Sequence, residues 1–147
     1  MAYLVDTNIL VRRSVLDDPG HHEVMAALNS LMRTGETVCI TAQNLVEYRA
    51  LATRPADANG LGYSSGRAAA DLSEIEDAFA IAEEAPAIYP LWRDLVDRYA
   101  VIGRQVYDAR LVAVMRTHGL THLLTLNARH FRRFREITVV EPRDILS

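Results

Sequence analysis

Short apolar runs alternate along this chain with segments of helical period, and that alternation restricts the fold more than any other feature. The strand candidates are residues 2–6, 37–40, 87–89, 122–125 and 137–140. Between them, Val24, Ala27, Leu28 and Leu31 recur at helical spacing in a segment that ends near Gly35. Leu45, Val46, Ala50 and Leu51 mark a second helix, entered through Thr41 as its N-cap. Leu72, Ile75, Phe79 and Ala80 give an amphipathic helix with an acidic outer face. Leu91, Leu95 and Val96, then Leu111, Val112, Val114 and Met115, give two more. Strands separated by helices run parallel, with the helices covering both faces of the sheet. The expectation is therefore an α/β chain: a three-layer α/β/α sandwich around a mostly parallel sheet of four to five strands. No repeat or second domain interrupts residues 1–147. The stretch Arg54–Gly66, rich in Gly, Pro, Asn and Ser, reads as a loop or mobile flap within the one domain.

Composition removes several chemistries. At 147 residues the chain can bury a core without disulfides. Nothing in it approaches the roughly 20 apolar residues of a membrane span, and residues 1–15 lack the layout of a signal peptide. The one cysteine, Cys39, sits in an apolar run and fits a reducing compartment, so the cytoplasm is expected. All sixteen basic residues are arginine. Without lysine, P-loop NTPases, Schiff-base enzymes and phosphotransfer folds that pair a strand-end Asp with lysine are excluded. The net charge of −3 hides a split: residues 104–147 carry +4 and residues 1–103 carry −7. That balance is unlike a dedicated high-charge nucleic-acid binder but leaves local phosphate contacts open.

In a parallel α/β sheet, ligands bind at the carboxyl ends of the strands. Asp6 ends the first strand candidate, Glu47 lies about two turns into the helix after the second, Asp108 opens the helix leading into the fourth, and Asn127 follows that strand. Each has a plainer reading: Asp6 and Asp108 as helix caps, Glu47 as a solvated helix residue, Asn127 as a turn residue. Together they have a different meaning. Carboxylates about 4 Å apart repel by several kcal/mol per pair at an effective dielectric near 20. A cluster of this kind persists with raised pKa values or a bound cation, and an all-oxygen donor set suits Mg²⁺ or Mn²⁺. Such ions activate water for attack on a phosphodiester. This fits a chain with no Ser–His–Asp or Cys–His arrangement.

The segments Leu4-Val5-Asp6-Thr7-Asn8, Leu45-Val46-Glu47, Tyr107-Asp108-Ala109-Arg110-Leu111 and Leu124-Thr125-Leu126-Asn127-Ala128-Arg129-His130-Phe131 resemble, in order and spacing, the PIN-domain nucleases. The closest likeness is to the VapC toxins of bacterial toxin–antitoxin pairs. Arg54-Pro55 with Asn59-Gly60-Leu61-Gly62 also resembles a segment of one VapC subgroup. The resemblance covers essentially the whole chain. It implies metal-binding roles for Asp6, Glu47 and Asp108, with Thr7, Asn8 and Thr125 as supporting polar residues. Asn127 falls where many members have a fourth acid; a neutral amide there leaves one or two metal ions open. The resemblance further implies cleavage of single-stranded or structured RNA, a homodimer, and an antitoxin protein whose C-terminal segment fills the groove.

Arg110, Arg129, Arg132 and Arg133 are the candidate RNA contacts. Phe131 and Phe134 either stack on bases or turn inward, and Arg110 either reaches a phosphate or forms a surface ion pair. His118 and His122 do not share a helix face, because Gly119 ends the helix between them; His21 and His22 read as solvated. Trp92 and Tyr99 read as core or interface. Two other classes stay open: a nucleic-acid-binding domain of the same fold without catalysis, and a phosphatase for small esters. The latter is disfavoured because Asp6-Thr7-Asn8 lacks the second acid of strand-end aspartyl phosphatases.

Overall fold

A computed structural model describes residues 1–147. The strands are β1 (Ala2–Val5), β2 (Thr37–Thr41), β3 (Ala80–Ala82), β4 (His122–Leu124) and β5 (Thr138–Val140). They form one five-stranded sheet in the order β3-β2-β1-β4-β5, and every neighbouring pair is parallel. The helices are α1 (Thr7–Ser14), α2 (His21–Arg33), α3 (Ala42–Thr53), α4 (Ser65–Ala78), α5 (Ile88–Arg98), α6 (Gln105–His118) and α7 (Pro142–Leu146).

Strand periodicity divides the interior into two cores. Successive side chains of a strand point to opposite faces. Leu4, Cys39 and Leu123 accordingly join one apolar cluster, with Ile88 and Leu95 of α5 and Leu111–Met115 of α6. Tyr3, Val5, Val38, Ile40 and Leu124 join the other, with Ile9 and Leu10 of α1, Val24 and Leu28 of α2, Tyr48 of α3 and Ile75 of α4. The result is the three-layer α/β/α sandwich expected, and all of its strands are parallel. Residues 122–124 and 138–140 are strands as anticipated, Thr41 caps α3, and Gly119 ends α6 in the left-handed conformation.

Three expectations need correction. The third strand is Ala80–Ala82; residues 88 and 89 instead begin α5. Pro90 fits that first helical turn, where a backbone N–H would lack an intrahelical partner in any case. Helix α4 starts earlier than the apolar pattern indicated, at Ser65, because the Ser64 hydroxyl accepts from the Arg67 N–H, and it stops at Ala78 where Phe79 turns extended. The stretch after α3 is also more tightly tied than a flap. Leu61, Gly62 and Tyr63 donate their N–H groups to Leu51, Arg54 and Ala52, at 3.1, 2.9 and 2.8 Å. A Cβ on Gly60 would lie 2.1 Å from the Arg54 carbonyl oxygen, so only glycine allows this close return of the chain to the end of α3.

Candidate active site

The carboxyl edge of the sheet opens into a cavity of about 970 Å³. Asp6, Glu47, Asp108 and Asn127 all line it, as do Thr7 and Asn8. Three chain segments deliver the acids by different routes. Asp6 follows β1 at the centre of the sheet. Glu47 stands on α3, in the helix layer of the α1–α4 core. Asp108 stands in the first turn of α6, in the opposite layer. Because α6 runs back toward the start of β4, its N-terminal end lies at the carboxyl edge.

Asp6 serves both readings of the sequence. It is the N-cap of α1, its Oδ1 accepting the Thr7 N–H at 2.7 Å, and it also forms the buried floor of the cavity. Its Oδ2 accepts from the Thr125 hydroxyl at 2.8 Å, while that hydroxyl accepts the Asn127 N–H at 2.9 Å. Thr125, fully buried, therefore has its single proton committed to Asp6 and fixes the turn that carries Asn127.

A second chain of hydrogen bonds holds Glu47. Asn44 Nδ2 donates to the Thr7 hydroxyl at 3.1 Å, and that hydroxyl donates to Glu47 Oε2 at 3.4 Å. Gln43 Nε2 donates both to Glu47 Oε1 at 2.7 Å and to the Tyr107 carbonyl at 2.9 Å, tying α3 to the first turn of α6 beside Asp108. Asn8 Oδ1 accepts from the Leu126 N–H at 3.3 Å. Asp108 is held less firmly, with His130 Nδ1 3.8 Å from its Oδ2.

The acids are electrically coupled. Burial raises the Asp6 carboxyl above its usual range, against the Thr125 and Thr7 hydrogen bonds and the nearby His130. Burial also raises Glu47, with the Asp6 charge adding to it and the Gln43 hydrogen bond opposing. Asp108 is pushed up to about 7 by burial and by the charges of Asp6 and Glu47, with Arg133 pulling the other way. As placed, no three Asp, Glu, His or Cys side chains close into a ready-made ion cage. What exists is an open cavity whose three carboxylates oppose one another's ionisation. Its donors are hard oxygens, and a divalent cation would remove the penalty they now carry, so the chemistry of the residues fits Mg²⁺ or Mn²⁺.

The candidate RNA contacts divide. Arg133 lines the cavity; Arg110, Arg129 and Arg132 do not. Arg110 is paired with Glu84, and Arg132 stands 3.8 Å from Glu141. Phe131 and Phe134 are buried in the α5–α6 core, so the inward reading holds and neither ring is available to a base. His118 bonds the Glu83 carbonyl and His122 the Thr121 hydroxyl, so the two are not a metal pair. Trp92 and Tyr99 pack against the same core.

Several cavity or supporting residues were given no role in the reading of the sequence: Gln43, Asn44, Arg12 and Arg104, and also Arg54 and His130, which appear there only within longer segments. The signal for most of them was helical spacing from a residue already chosen. Gln43 and Arg54 lie four before and seven after Glu47; Arg12 lies four after Asn8; Arg104 lies four before Asp108. Asn44 completes a Thr-x-x-Asn capping box with Thr41.

Comparison with known proteins agrees with this architecture. The sequence profile of the PIN domain matches residues 3–137. No curated protein matches the chain. Among solved structures, VapBC2 from Rickettsia felis bound to a fragment of promoter DNA is similar at a TM-score of 0.72 and 16% identity, over 96% of this chain and 98% of that one. DNA-bound VapBC from Salmonella typhimurium is similar at 0.70 and 18%, over 97% and 98%. Mycobacterium tuberculosis VapC20, described as a toxin that cleaves the sarcin–ricin loop, is similar at 0.66 and 16%, over 90% and 95%.

Proposed function

The chain belongs to the PIN-domain family, and from that premise we propose that it is a metal-dependent endoribonuclease, the toxin of a toxin–antitoxin pair. One observation carries the reading: three acids from separate segments meet in one cavity, where burial, and for Glu47 and Asp108 also the charge of the neighbouring acids, raises their pKa values. Asp6, Glu47 and Asp108 are the residues that would hold Mg²⁺ or Mn²⁺. When bound, the ion supplies a water activated for attack and offsets charge building on the phosphodiester. Thr125 keeps Asp6 Oδ2 oriented, Gln43 and Thr7 hold the two Glu47 oxygens apart, and the Asn127 carboxamide contributes a neutral oxygen where an acid would add a fourth charge.

The substrate class is single-stranded or looped RNA, in keeping with a fold neighbour named for cleaving the sarcin–ricin loop. Neighbours solved as VapBC complexes support a cognate antitoxin as partner; a homodimer in the cytoplasm completes the reading. No helix is long and apolar enough to cross a membrane. Incubation of purified protein with single-stranded RNA and Mn²⁺ should give fragments bearing 5′-phosphate and 3′-hydroxyl ends, abolished by EDTA and by Asp6→Asn. Cleavage that survives both treatments overturns the mechanism. The open spacing of the acids and the neutral Asn127 favour one second reading, an RNA-binding domain without catalysis. A Mn²⁺ titration without heat, beside retained RNA binding, would select it.

A further inference from the structure

The same cavity that gathers three acids is also lined by four arginines, Arg12, Arg54, Arg104 and Arg133, so its lining carries a formal +1 although the whole chain carries −3. None of the four forms an ion pair with Asp6, Glu47 or Asp108. Arg12 leans on Asp18 at 3.3 Å, Arg133 donates to the Gln105 amide oxygen, and Arg54 and Arg104 have no carboxylate within ion-pair distance. Arg110 and Arg132, outside the cavity, are, like Arg12, matched to acids.

Their positions follow the layers of the fold. Arg12 belongs to α1, and Arg54 ends α3, two helices whose apolar residues fill one core. Arg104 leads into α6, and Arg133 lies between Phe131 and Phe134, which fill the other core. Asp6, at the end of the central strand, sits between the two layers. Building on the nuclease reading, we propose that the cavity is a channel across the sheet edge that holds single-stranded RNA by its backbone. One arginine pair grips phosphates on one side of the acids, and the other pair grips phosphates on the far side.

The arrangement makes electrostatic sense. Three carboxylates alone would repel the polyanion they are to act on, and a guanidinium free of any carboxylate at each end, Arg54 on one side and Arg104 on the other, offsets that repulsion. Two-sided anchoring also favours attack within a strand, because a terminal nucleotide reaches one pair only.

Binding of labelled single-stranded RNA, followed by fluorescence anisotropy in EDTA so that nothing is cut, tests this. On an oligonucleotide of roughly ten nucleotides, Arg54→Gln and Arg104→Gln should each weaken binding about three- to tenfold and reduce the slope of log affinity against log salt by about 0.7. The double substitution should approach the product of the two effects. On a dinucleotide the double variant should bind no worse than the weaker single variant. Arg132→Gln, outside the cavity, should leave the slope unchanged. Salt slopes unmoved by Arg54→Gln and Arg104→Gln, or equal losses on both lengths, overturn the channel. Cleavage of the same long oligonucleotide by the wild-type protein with Mn²⁺ separates the cases. If it is cut while the slopes stay fixed, the channel alone fails; if it is neither cut nor bound, the nuclease reading fails with it.

Discussion

At the scale of single residues, the site is built against its own stability. Asp108 titrates near 7 in the folded chain, against about 3.9 when unfolded. A carboxyl raised in this way makes the folded state bind more protons than the unfolded state between those values, so stability falls as pH rises. The contribution of Asp108 to the stability of the metal-free protein is therefore greatest below about pH 4, falls as pH rises to about 7 and changes little above that. Asp6 and Glu47 shift in the same direction. Urea unfolding across this range in EDTA measures the effect. Asp108→Asn should stabilise the metal-free protein at pH 8 and make little difference at pH 4, although it removes a proposed metal ligand. Thr125→Val should do the reverse of a repair. It deletes the hydroxyl that donates to buried Asp6 and accepts from Asn127, with an expected loss of about 1–3 kcal/mol in urea unfolding at neutral pH.

At the scale of elements, the segment after α3 gives the sharpest contrast. Gly60→Ala puts a Cβ against the Arg54 carbonyl at 2.1 Å, where backbone must move; Gly62, at φ +68°, has its nearest neighbours at 3.6 Å. Gly60→Ala should cost about 2 kcal/mol or more. Gly62→Ala should cost only the left-handed backbone penalty, about 1 kcal/mol, when both are compared in urea. The elements also explain what the sequence could and could not reveal. β1, β2, β4 and β5 were readable because they carry apolar side chains to one or both cores, and alternation against helical segments fixed their parallel sense. β3 was not, because Ala80-Ile81-Ala82 is a three-residue edge strand with one buried side chain, and its alanines extend the pattern of the helix before it. Residues 87–89 mimic a strand because Ile88 is buried, but as the first residue of α5. The four cavity-lining candidates at positions 6, 47, 108 and 127 were readable from strand ends and motif order. Of the cavity arginines only Arg133 was singled out; charge alone does not distinguish Arg104, which lines the cavity, from Arg110, six residues on, which is matched to Glu84.

At the scale of the whole molecule, a sheet edge between two helix layers brings together groups that would repel in any local arrangement. Asp6, Glu47 and Asp108 are far apart along the chain, and they are held facing one cavity because β1, α3 and α6 are each anchored by a separate part of the two cores. A cation is the natural counterpart of that arrangement, and its binding to the folded state alone should add stability in proportion to the logarithm of its concentration above Kd. Saturating Mn²⁺ should therefore raise the melting temperature at pH 8 and flatten the pH dependence described above. The most direct measurement is calorimetric titration of the metal-free protein with Mn²⁺, repeated for Asp6→Asn, Glu47→Gln and Asp108→Asn. Gathering of the three carboxylates around one ion predicts binding in the wild type and a loss of roughly tenfold or more in affinity in each variant. Binding of equal strength in all four proteins, or no heat in the wild type, would contradict it.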